Sequence, residues 1–261
     1  MRKAKETTMD AIVESRQPQS RPLVEPRARV GLIIPSVNRM SEPQFNHFAP
    51  TGLGIHVARA RITGQWRKPA VEMKDVITRS AEALADSSPD LIVYHCTDSS
   101  MREGFAGERT LIDIVREATG IDTVATSALV IEAMRALGIK SVVLLSPYLS
   151  NEVIVRYLNE NGIAVRHDVA LKLNGHEYTA ITPRRWLELA REHDRADADA
   201  IFLSCTNTTQ MEAIEDIELA LGKPVVNSNQ AVLWGCVKRL KSSLGALKPM
   251  PQLGRLMQSL N

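Results

Sequence analysis

Three stretches of this sequence occur twice, in the same order along the chain. Residues 30–38 resemble residues 142–148, residues 88–99 resemble residues 197–208, and residues 121–127 resemble residues 223–229. Matched positions in the three blocks lie 112, 109 and 102 residues apart. Two copies are too few for a solenoid of stacked repeats. The repetition therefore predicts a duplicated fold with two similar lobes.

Short apolar runs alternate with amphipathic stretches in both halves. Runs such as 30–34, 91–94 and 200–203 have the near-continuous hydrophobicity of strands that are buried on both faces. Helical periodicity fills the intervals, for example over 183–193. The alternation predicts an α/β fold with two pseudo-symmetric, Rossmann-like lobes, each built on a parallel sheet. Ligands bind such sheets at the carboxyl ends of their strands, so we expect the active site in the cleft between the lobes.

The lobe boundaries follow from the same pattern. We expect a flexible N-terminal arm over 1–28, because this segment is polar, charged and without apolar periodicity. The first lobe is predicted over 29–127 together with 230–261, and the second over 128–229. The chain thus crosses between the lobes and returns at its C-terminal end.

Charge and composition exclude several classes of function. The 32 Lys and Arg residues nearly balance 30 Asp and Glu residues, which gives no reason to expect nucleic acid or a membrane as partner. No secretory signal and no apolar stretch of about 18 residues are recognisable. Three cysteines do not suggest a disulfide framework. We therefore expect a cytoplasmic protein with free thiols.

Two of the cysteines occupy equivalent places in the repeat. Cys96 and Cys205 each end an apolar run, and each is followed by threonine and then by other polar residues. A thiol placed there lies near a helix N-terminus, which favours a thiolate and binds a carboxylate through free N–H groups. Two such thiols on opposite walls of one cleft can act on both faces of a single carbon atom, one as base or nucleophile and one as acid.

The remaining cysteine, the histidines and Arg39 are weaker candidates for site residues. Cys236 lies within a helical stretch and is expected in the core. A zinc site at His95 and Cys96 is not expected, because neighbouring strand residues point to opposite faces and no Cys-x-x-Cys spacing exists. His176, in a polar loop, is a weaker candidate for a base, and Arg39 is a weaker candidate for a carboxylate contact.

Together these motifs resemble the aspartate/glutamate racemase superfamily, within it the branch of maleate cis–trans isomerases and arylmalonate decarboxylases. The resemblance covers about residues 29–245 and rests on five motifs: Pro35-Ser36-Val37-Asn38, His95-Cys96-Thr97-Asp98-Ser99, Ser146-Pro147-Tyr148, Ser204-Cys205-Thr206-Asn207 and the segment 224–229. It implies a site between two lobes that works without cofactor or metal.

The resemblance also implies roles for individual residues. Cys96 would add to a substrate double bond, and Cys205 would act as the partner acid. The function implied is isomerisation of a small unsaturated dicarboxylate, of the maleate-to-fumarate type. The residues expected to bind the substrate, from the resemblance or from their place at the strand ends, are Ser36, Asn38, Thr97, Tyr148, Asn174, Thr206 and Asn207.

Departures from the pattern leave alternatives open. The decarboxylases normally lack the first cysteine, so Cys96 argues against plain arylmalonate decarboxylation. Glutamate racemases usually carry other residues at the positions of Pro35 and Asn207. Isomerases commonly lack Arg39, which would alter preference for substrate charge or size. A racemase acting on an amino acid or a hydantoin, a decarboxylase using Cys205, and a carboxylate-binding regulatory protein remain possible, as do homodimers or higher homo-oligomers.

Overall fold

The fold is described from a computed structural model, which defines residues 25–62 and 68–260. The predicted arm over 1–28 lies almost wholly outside these residues. Its last residue, Ala28, already belongs to the first strand. The Arg27 N–H, just before it, donates to the Gly52 carbonyl at 2.8 Å, so the chain enters the fold through a backbone hydrogen bond.

Two separate four-stranded sheets form the centre of the structure, and all their strand pairs are parallel. The first sheet has the order β2-β1-β3-β4, and the second has the order β6-β5-β7-β8. The two orders are the same when the second sheet is renumbered from its first strand. The strands are β1 (Ala28–Pro35), β2 (Leu53–Ala60), β3 (Leu91–Tyr94), β4 (Thr123–Ala125), β5 (Ser141–Ser146), β6 (Ala164–Ala170), β7 (Ala200–Leu203) and β8 (Val225–Asn227). The predicted fold class, with duplicated parallel sheets, is confirmed.

Helices cover both sheets, as expected for parallel strands joined by crossovers. They are α1 (Ser41–Phe48), α2 (Lys74–Ala85), α3 (Thr97–Met101), α4 (Gly104–Thr119), α5 (Thr126–Ala136), α6 (Glu152–Glu160), α7 (Pro183–His193), α8 (Ile214–Leu221), α9 (Ser228–Arg239), α10 (Lys241–Leu244) and α11 (Gly254–Gln258), with 3₁₀ turns at Ala70–Met73, Gln210–Ala213 and Pro251–Leu253. None of the helices in the described ranges has the length and apolarity that crossing a membrane requires.

The duplication extends to the helix ends. Gly120 ends α4 and Gly222 ends α8, each just before the last strand of its sheet, with φ of 69° and 68°. Glycine adopts this left-handed conformation without the steric cost that a Cβ atom adds. Each glycine turns the chain directly into the strand that carries the next polar cluster at its end.

The two sheets share one core. A single cluster of buried apolar side chains runs from Ala28 in β1 to Leu260 near the C-terminus, and a smaller cluster covers the other face of the first sheet. Helices α5 and α9 pack closely across the junction, since a Cβ atom added to Gly235 would lie 2.5 Å from Leu129. The lobes therefore pack closely against each other near the ends of β4 and β8.

The C-terminal segment contacts both lobes. Helix α9 packs on α1 of the first lobe and on α5 at the lobe junction, whereas the segment after it lies against the second lobe. Gln230 Nε2 donates to the Leu253 carbonyl at 2.7 Å, and the Arg255 N–H donates to Glu218 in α8 at 2.9 Å. The assignment of 230–261 to the first lobe stays a prediction. The segment also has the hydrogen bonds to the second lobe described above.

Candidate active site

The first cysteine turn follows β3. The strand ends at Tyr94, and Cys96 precedes α3 with an extended backbone, φ −153° and ψ 114°. Cys96 is 7% exposed. The next residue, Thr97, is buried, and its hydroxyl donates to Ser228 Oγ at 2.9 Å. This hydrogen bond crosses from the first lobe to the helix that follows β8.

The second cysteine turn follows β7 and has a strained backbone. Cys205 has a φ of +149°, in the region that favours glycine. Such a conformation costs about 1–3 kcal/mol and persists only where the surroundings hold it. Here the Cys205 N–H donates to Ser228 Oγ at 3.3 Å, and the Cys205 Sγ accepts from the Asn207 N–H at 3.3 Å. Both bonds fix the direction of the thiol.

Ser228 joins the two cysteine turns. It is the first residue of α9, it is fully buried, and its Oγ accepts from both the Thr97 hydroxyl and the Cys205 N–H. The two donors follow strands of different sheets. One hydroxyl group therefore sets the position of the Cys96 turn relative to the Cys205 turn. The two turns lie together at the junction of the lobes.

Burial keeps both thiols protonated in the resting protein. It raises the pKa of Cys205 to about 12, although the Asn207 N–H and the Tyr148 hydroxyl act in the opposite direction. A charge on Cys96 raises the pKa of Cys205 further, which reflects how near the two thiols are. Burial also raises the pKa of Cys96, while hydrogen bonds with Ser99 lower it in part. The expected stabilisation of a thiolate by a helix N-terminus is thus outweighed by loss of solvent.

Tyr148 connects the cysteine turns to a cavity. It follows β5, is half-buried, and forms a hydrogen bond with the Cys205 thiol. Burial raises its pKa well above the usual value, so the phenol stays neutral at ordinary pH and can donate a proton in a hydrogen bond. The cavity has a volume of about 330 Å³, which suits a small ligand. Its lining residues are Asp98, Arg102, Tyr148, Leu149, Ser150, Glu152, Val153, Leu173, Asn174, Gly175 and Tyr178.

Asn38 lies at the junction, where its side-chain amide forms hydrogen bonds with other groups of the protein. Its Nδ2 donates to Ser41 Oγ at 2.9 Å, to Thr206 Oγ1 at 3.1 Å and to the Thr206 carbonyl at 3.2 Å. Its Oδ1 accepts from the N–H groups of Met40 and Ser41. Asn38 therefore positions the Cys205 turn from the first lobe. Ser36, at the end of β1, is half-buried nearby, and substrate contacts of both residues stay predictions.

The other two predicted amides differ in their surroundings. Asn207 is buried next to Cys205, where its Oδ1 accepts from the Arg39 N–H at 2.8 Å. Asn174 lines the cavity. Its Nδ2 and its backbone N–H both donate to Glu177 Oε2, at 3.1 and 2.8 Å. Asn207 thus belongs to the cysteine turn, whereas Asn174 belongs to the lining of the cavity.

Arg39 crosses between the lobes. Its Nη2 donates to the His176 carbonyl at 2.6 Å and to Thr179 Oγ1 at 2.7 Å. These contacts tie the loop after β1 to the loop after β6. A carboxylate contact of Arg39 and a role of His176 as a base stay predictions.

Two residues that the sequence does not single out as site residues, His95 and Asn229, organise the site. His95 Nε2 is hydrogen-bonded to Asn229 Oδ1 at 2.9 Å, and its Nδ1 to Thr126 Oγ1 at 3.0 Å. Burial lowers the pKa of His95 to about 3, so its ring is neutral. Asn229 Nδ2 donates in turn to the Thr206 carbonyl at 3.1 Å. The only signal in the sequence was their place at strand ends, beside Cys96 and after β8.

The third cysteine behaves as expected from sequence. Cys236 is fully buried within α9, and burial raises its pKa to about 12. All three cysteines are free thiols. Within residues 25–62 and 68–260, no three side chains among His, Cys, Asp and Glu are grouped as metal ligands are.

Comparison with known proteins places the chain in a family. The sequence model of the arylmalonate decarboxylase family matches residues 24–250. The chain belongs to this family. It is 34% identical to the arylmalonate decarboxylase of Bordetella bronchiseptica over 214 residues, covering 80% of this chain and 85% of the relative. It is 27% identical to the maleate isomerase of Geobacillus stearothermophilus over 247 residues, covering 88% and 96%.

A solved structure of the family shares the fold. It is a cysteine-to-serine variant of Nocardia farcinica maleate cis–trans isomerase with a covalently bound succinylcysteine intermediate. The two chains superpose with a TM-score of 0.75 at 25% identity, over 88% of this chain and 98% of the other. The resemblance to the branch of maleate isomerases and arylmalonate decarboxylases is thus confirmed.

Proposed function

We propose that this member of the arylmalonate decarboxylase family is a cofactor-independent cis–trans isomerase of small unsaturated dicarboxylates of the maleate type. The observation that carries the proposal is the pair of thiols, Cys96 and Cys205, joined through Ser228 beside a cavity. Relatives named maleate isomerase support it, and so does the succinylcysteine of the Nocardia farcinica variant.

The proposed reaction balances with two thiols and no other reagent. The Cys96 sulfur adds to one alkene carbon and forms a C–S bond. The other alkene carbon takes the proton of the Cys205 thiol, and the Cys96 proton replaces it on Cys205. The former double bond is now single and can rotate. Loss of a proton to Cys205 and departure of the Cys96 sulfur, which takes back a proton, then give the trans alkene.

Groups of the two turns would hold a substrate carboxylate during these steps. The Tyr148 phenol and the Thr206 hydroxyl lie beside the thiols. Negative charge that builds on the carboxylate during addition needs donors in a water-poor site. A neutral phenol provides one donor without the repulsion that a phenolate would add.

Arylmalonate decarboxylation is the second candidate, favoured by 34% identity to a decarboxylase. Cys205 alone would then protonate the carbon from which carbon dioxide departs. Cys96 would have no part in that reaction. A racemase that exchanges one α-proton between the two thiols is the third possibility.

One assay separates these activities. The protein is incubated with maleate, with phenylmalonate, and with aspartate in deuterated water, and each reaction is followed by proton NMR. We expect fumarate from maleate and no such product with a Cys96→Ser variant. Loss of carbon dioxide from phenylmalonate with no fumarate would favour the decarboxylase, and α-deuteration of aspartate would favour the racemase.

A further inference from the structure

Part of the cavity lining comes from the loop that follows β6. The residues of this loop that line the cavity are Leu173, Asn174, Gly175 and Tyr178. Tyr178 is buried, and its ring centre lies 5.9 Å from that of Tyr148, which is hydrogen-bonded to the Cys205 thiol. We call residues 174–179 the cavity loop. The position of the cavity loop therefore sets the shape of the space beside the thiols.

A side chain of the other lobe holds the cavity loop. Arg39 Nη2 donates to the His176 carbonyl at 2.6 Å and to Thr179 Oγ1 at 2.7 Å. Among the described residues, the other hydrogen bonds of 174–177 and of Thr179 stay within the segment 174–180. The link between these residues and the first lobe thus depends on one guanidinium group.

Arg39 also contacts the Cys205 turn, but through its backbone. The Arg39 N–H donates to Asn207 Oδ1 at 2.8 Å, and the Asn207 N–H donates to the Cys205 sulfur at 3.3 Å. One residue therefore joins the second thiol turn to the cavity loop. The two links can be separated, because a substitution of the Arg39 side chain leaves the backbone N–H in place.

A loop that is already in place favours binding, since the substrate does not have to order it. The apparent affinity of a ligand falls with the fraction of molecules that have the binding conformation. Two hydrogen bonds from a charged group are enough to shift that fraction by about 10-fold in a short loop. Arg39 itself is exposed, so the loss of its side chain should affect the loop far more than the stability of the whole fold.

We propose that Arg39 is a positioning residue that holds the cavity loop, through His176 and Thr179, in the conformation that binds the substrate. Arg39 then determines affinity without touching the substrate. The inference rests on the proposed function, because it takes the cavity as the place where a maleate-type substrate binds. The alternative, a direct contact of Arg39 with a substrate carboxylate, is the one that the experiment must separate from it.

The kinetic test uses a variant that keeps Arg39 and its charge. Values of kcat and KM for maleate are measured with the wild type, Arg39→Ala, Thr179→Ala and the double variant. Arg79→Ala is the matched control, because it removes an equally exposed arginine from α2, outside the cavity lining. We expect Arg39→Ala to raise KM by at least about 10-fold and to keep kcat within about 2-fold, which is the sign of lost binding without lost chemistry.

Thr179→Ala removes one of the two hydrogen bonds and should raise KM by about 3-fold. It should add nothing in the double variant, because both changes break the same contact. Arg79→Ala should match the wild type. A KM that Thr179→Ala leaves unchanged, or effects of the two changes that multiply, would assign Arg39 to direct contact with the substrate and overturn the inference. A lower kcat with an unchanged KM in Arg39→Ala would also overturn it.

Hydrogen exchange in the ligand-free proteins tests the loop without any turnover. We expect the N–H groups of Asn174, Glu177 and Ala180, which donate within the segment, to exchange at least about 10-fold faster in Arg39→Ala than in the wild type or Arg79→Ala. Unchanged exchange would overturn the inference even if maleate is isomerised. Faster exchange together with weaker calorimetric binding of succinate, in a protein that does not isomerise maleate, would support the inference and contradict the proposed function.

Discussion

The Cys96 turn and the Cys205 turn come from the same repeated block but differ in the groups around the thiol. Cys96 has an ordinary extended backbone and is followed by the charged Asp98. Cys205 has a φ of +149° and is followed by the neutral Asn207, whose N–H is directed at the sulfur. Duplication set the two thiols at equivalent places, and divergence of the neighbours gave them different surroundings.

The difference suits two chemical roles. Cys205 is held by Ser228, Asn207 and Tyr148, and its pKa of about 12 keeps it protonated, as a proton donor must be. Cys96 is held through its neighbour Thr97 and has hydrogen bonds with Ser99 that act against the effect of burial. A sulfur that must attack and then depart is better left with fewer direct contacts.

The largest expected effect separates the two thiols by function. Cys96→Ser should lower kcat/KM for the cis–trans reaction by at least about 10³-fold, because the attacking sulfur is removed. Cys205→Ser should lower it by about 10²-fold, because a serine hydroxyl donates a proton less readily. Steady-state rates with maleate measure both effects. Cys236→Ala, far from the turns, is the matched control and should keep the full rate.

Equal losses of kcat/KM in the two serine variants would contradict separate roles for the two thiols. A Cys96→Ser variant with full activity would break the comparison altogether.

The pH dependence of the rate tests the protonation of the resting thiols. Burial raises the pKa of both cysteines, so the form with Cys96 ionised and Cys205 protonated is a small fraction at pH 7. Below the first pKa of the pair this fraction grows about 10-fold per pH unit. We therefore expect kcat/KM to rise by about 100-fold between pH 7 and 9. A profile that is flat over this range would mean that Cys96 is already a thiolate.

His95 gives the first turn a pH-sensitive stability that the second turn lacks, since Ser204 occupies the matching position. The pKa of His95 is lowered from 6.5 to about 3 in the folded state. Between these values the unfolded chain binds a proton that the folded protein does not, so stability falls as the pH falls. The free energy of unfolding falls by about 1.4 kcal/mol per pH unit in this range. The accumulated loss at pH 5 is about 2 kcal/mol.

Urea unfolding at pH 7, 6 and 5 measures this component. The variant His95→Gln lacks the titrating ring and should show a correspondingly smaller loss of stability, whereas Ser204→Ala should follow the wild type. Identical slopes for the wild type and His95→Gln would indicate that His95 does not cause the pH dependence.

The smallest effect concerns the link between the turns. Ser228→Ala leaves the Thr97 hydroxyl and the Cys205 N–H without their acceptor, which should cost about 1–2 kcal/mol of unfolding free energy. Ser204→Ala is the matched control, because Ser204 is equally buried and its hydroxyl has no partner among the described residues. Denaturant midpoints of the two variants measure the difference. A Ser228→Ala protein as stable as Ser204→Ala would show that the shared hydroxyl does not tie the turns together.

Much of the fold could be predicted from the sequence because its information is local and repeated. Apolar runs located the strands, periodicity located α7 at 183–193, and repetition gave two sheets of the same order. The Cys–Thr turns were visible for the same reason, since each follows a strand and precedes a helix.

Contacts across the lobe junction could not be predicted in this way. Ser228 bridges the turns, Asn38 is turned to Thr206, and Arg39 reaches Thr179, all over more than 100 residues of sequence. No local pattern encodes which side chain of one lobe meets which of the other. The φ of Cys205 depends in the same way on partners from other elements. The burial that raises the thiol pKa values likewise comes from packing of both lobes.

The most direct test of the account is the identity of the residue that carries the covalent intermediate. The Cys205→Ser variant is incubated with maleate, quenched in acid, and examined by intact mass spectrometry with peptide mapping. We predict an added mass of one substrate molecule, located on Cys96, and no adduct on the Cys96→Ser variant. An active wild type whose Cys205→Ser variant carries no adduct, or carries it on a residue other than Cys96, would contradict covalent catalysis by Cys96.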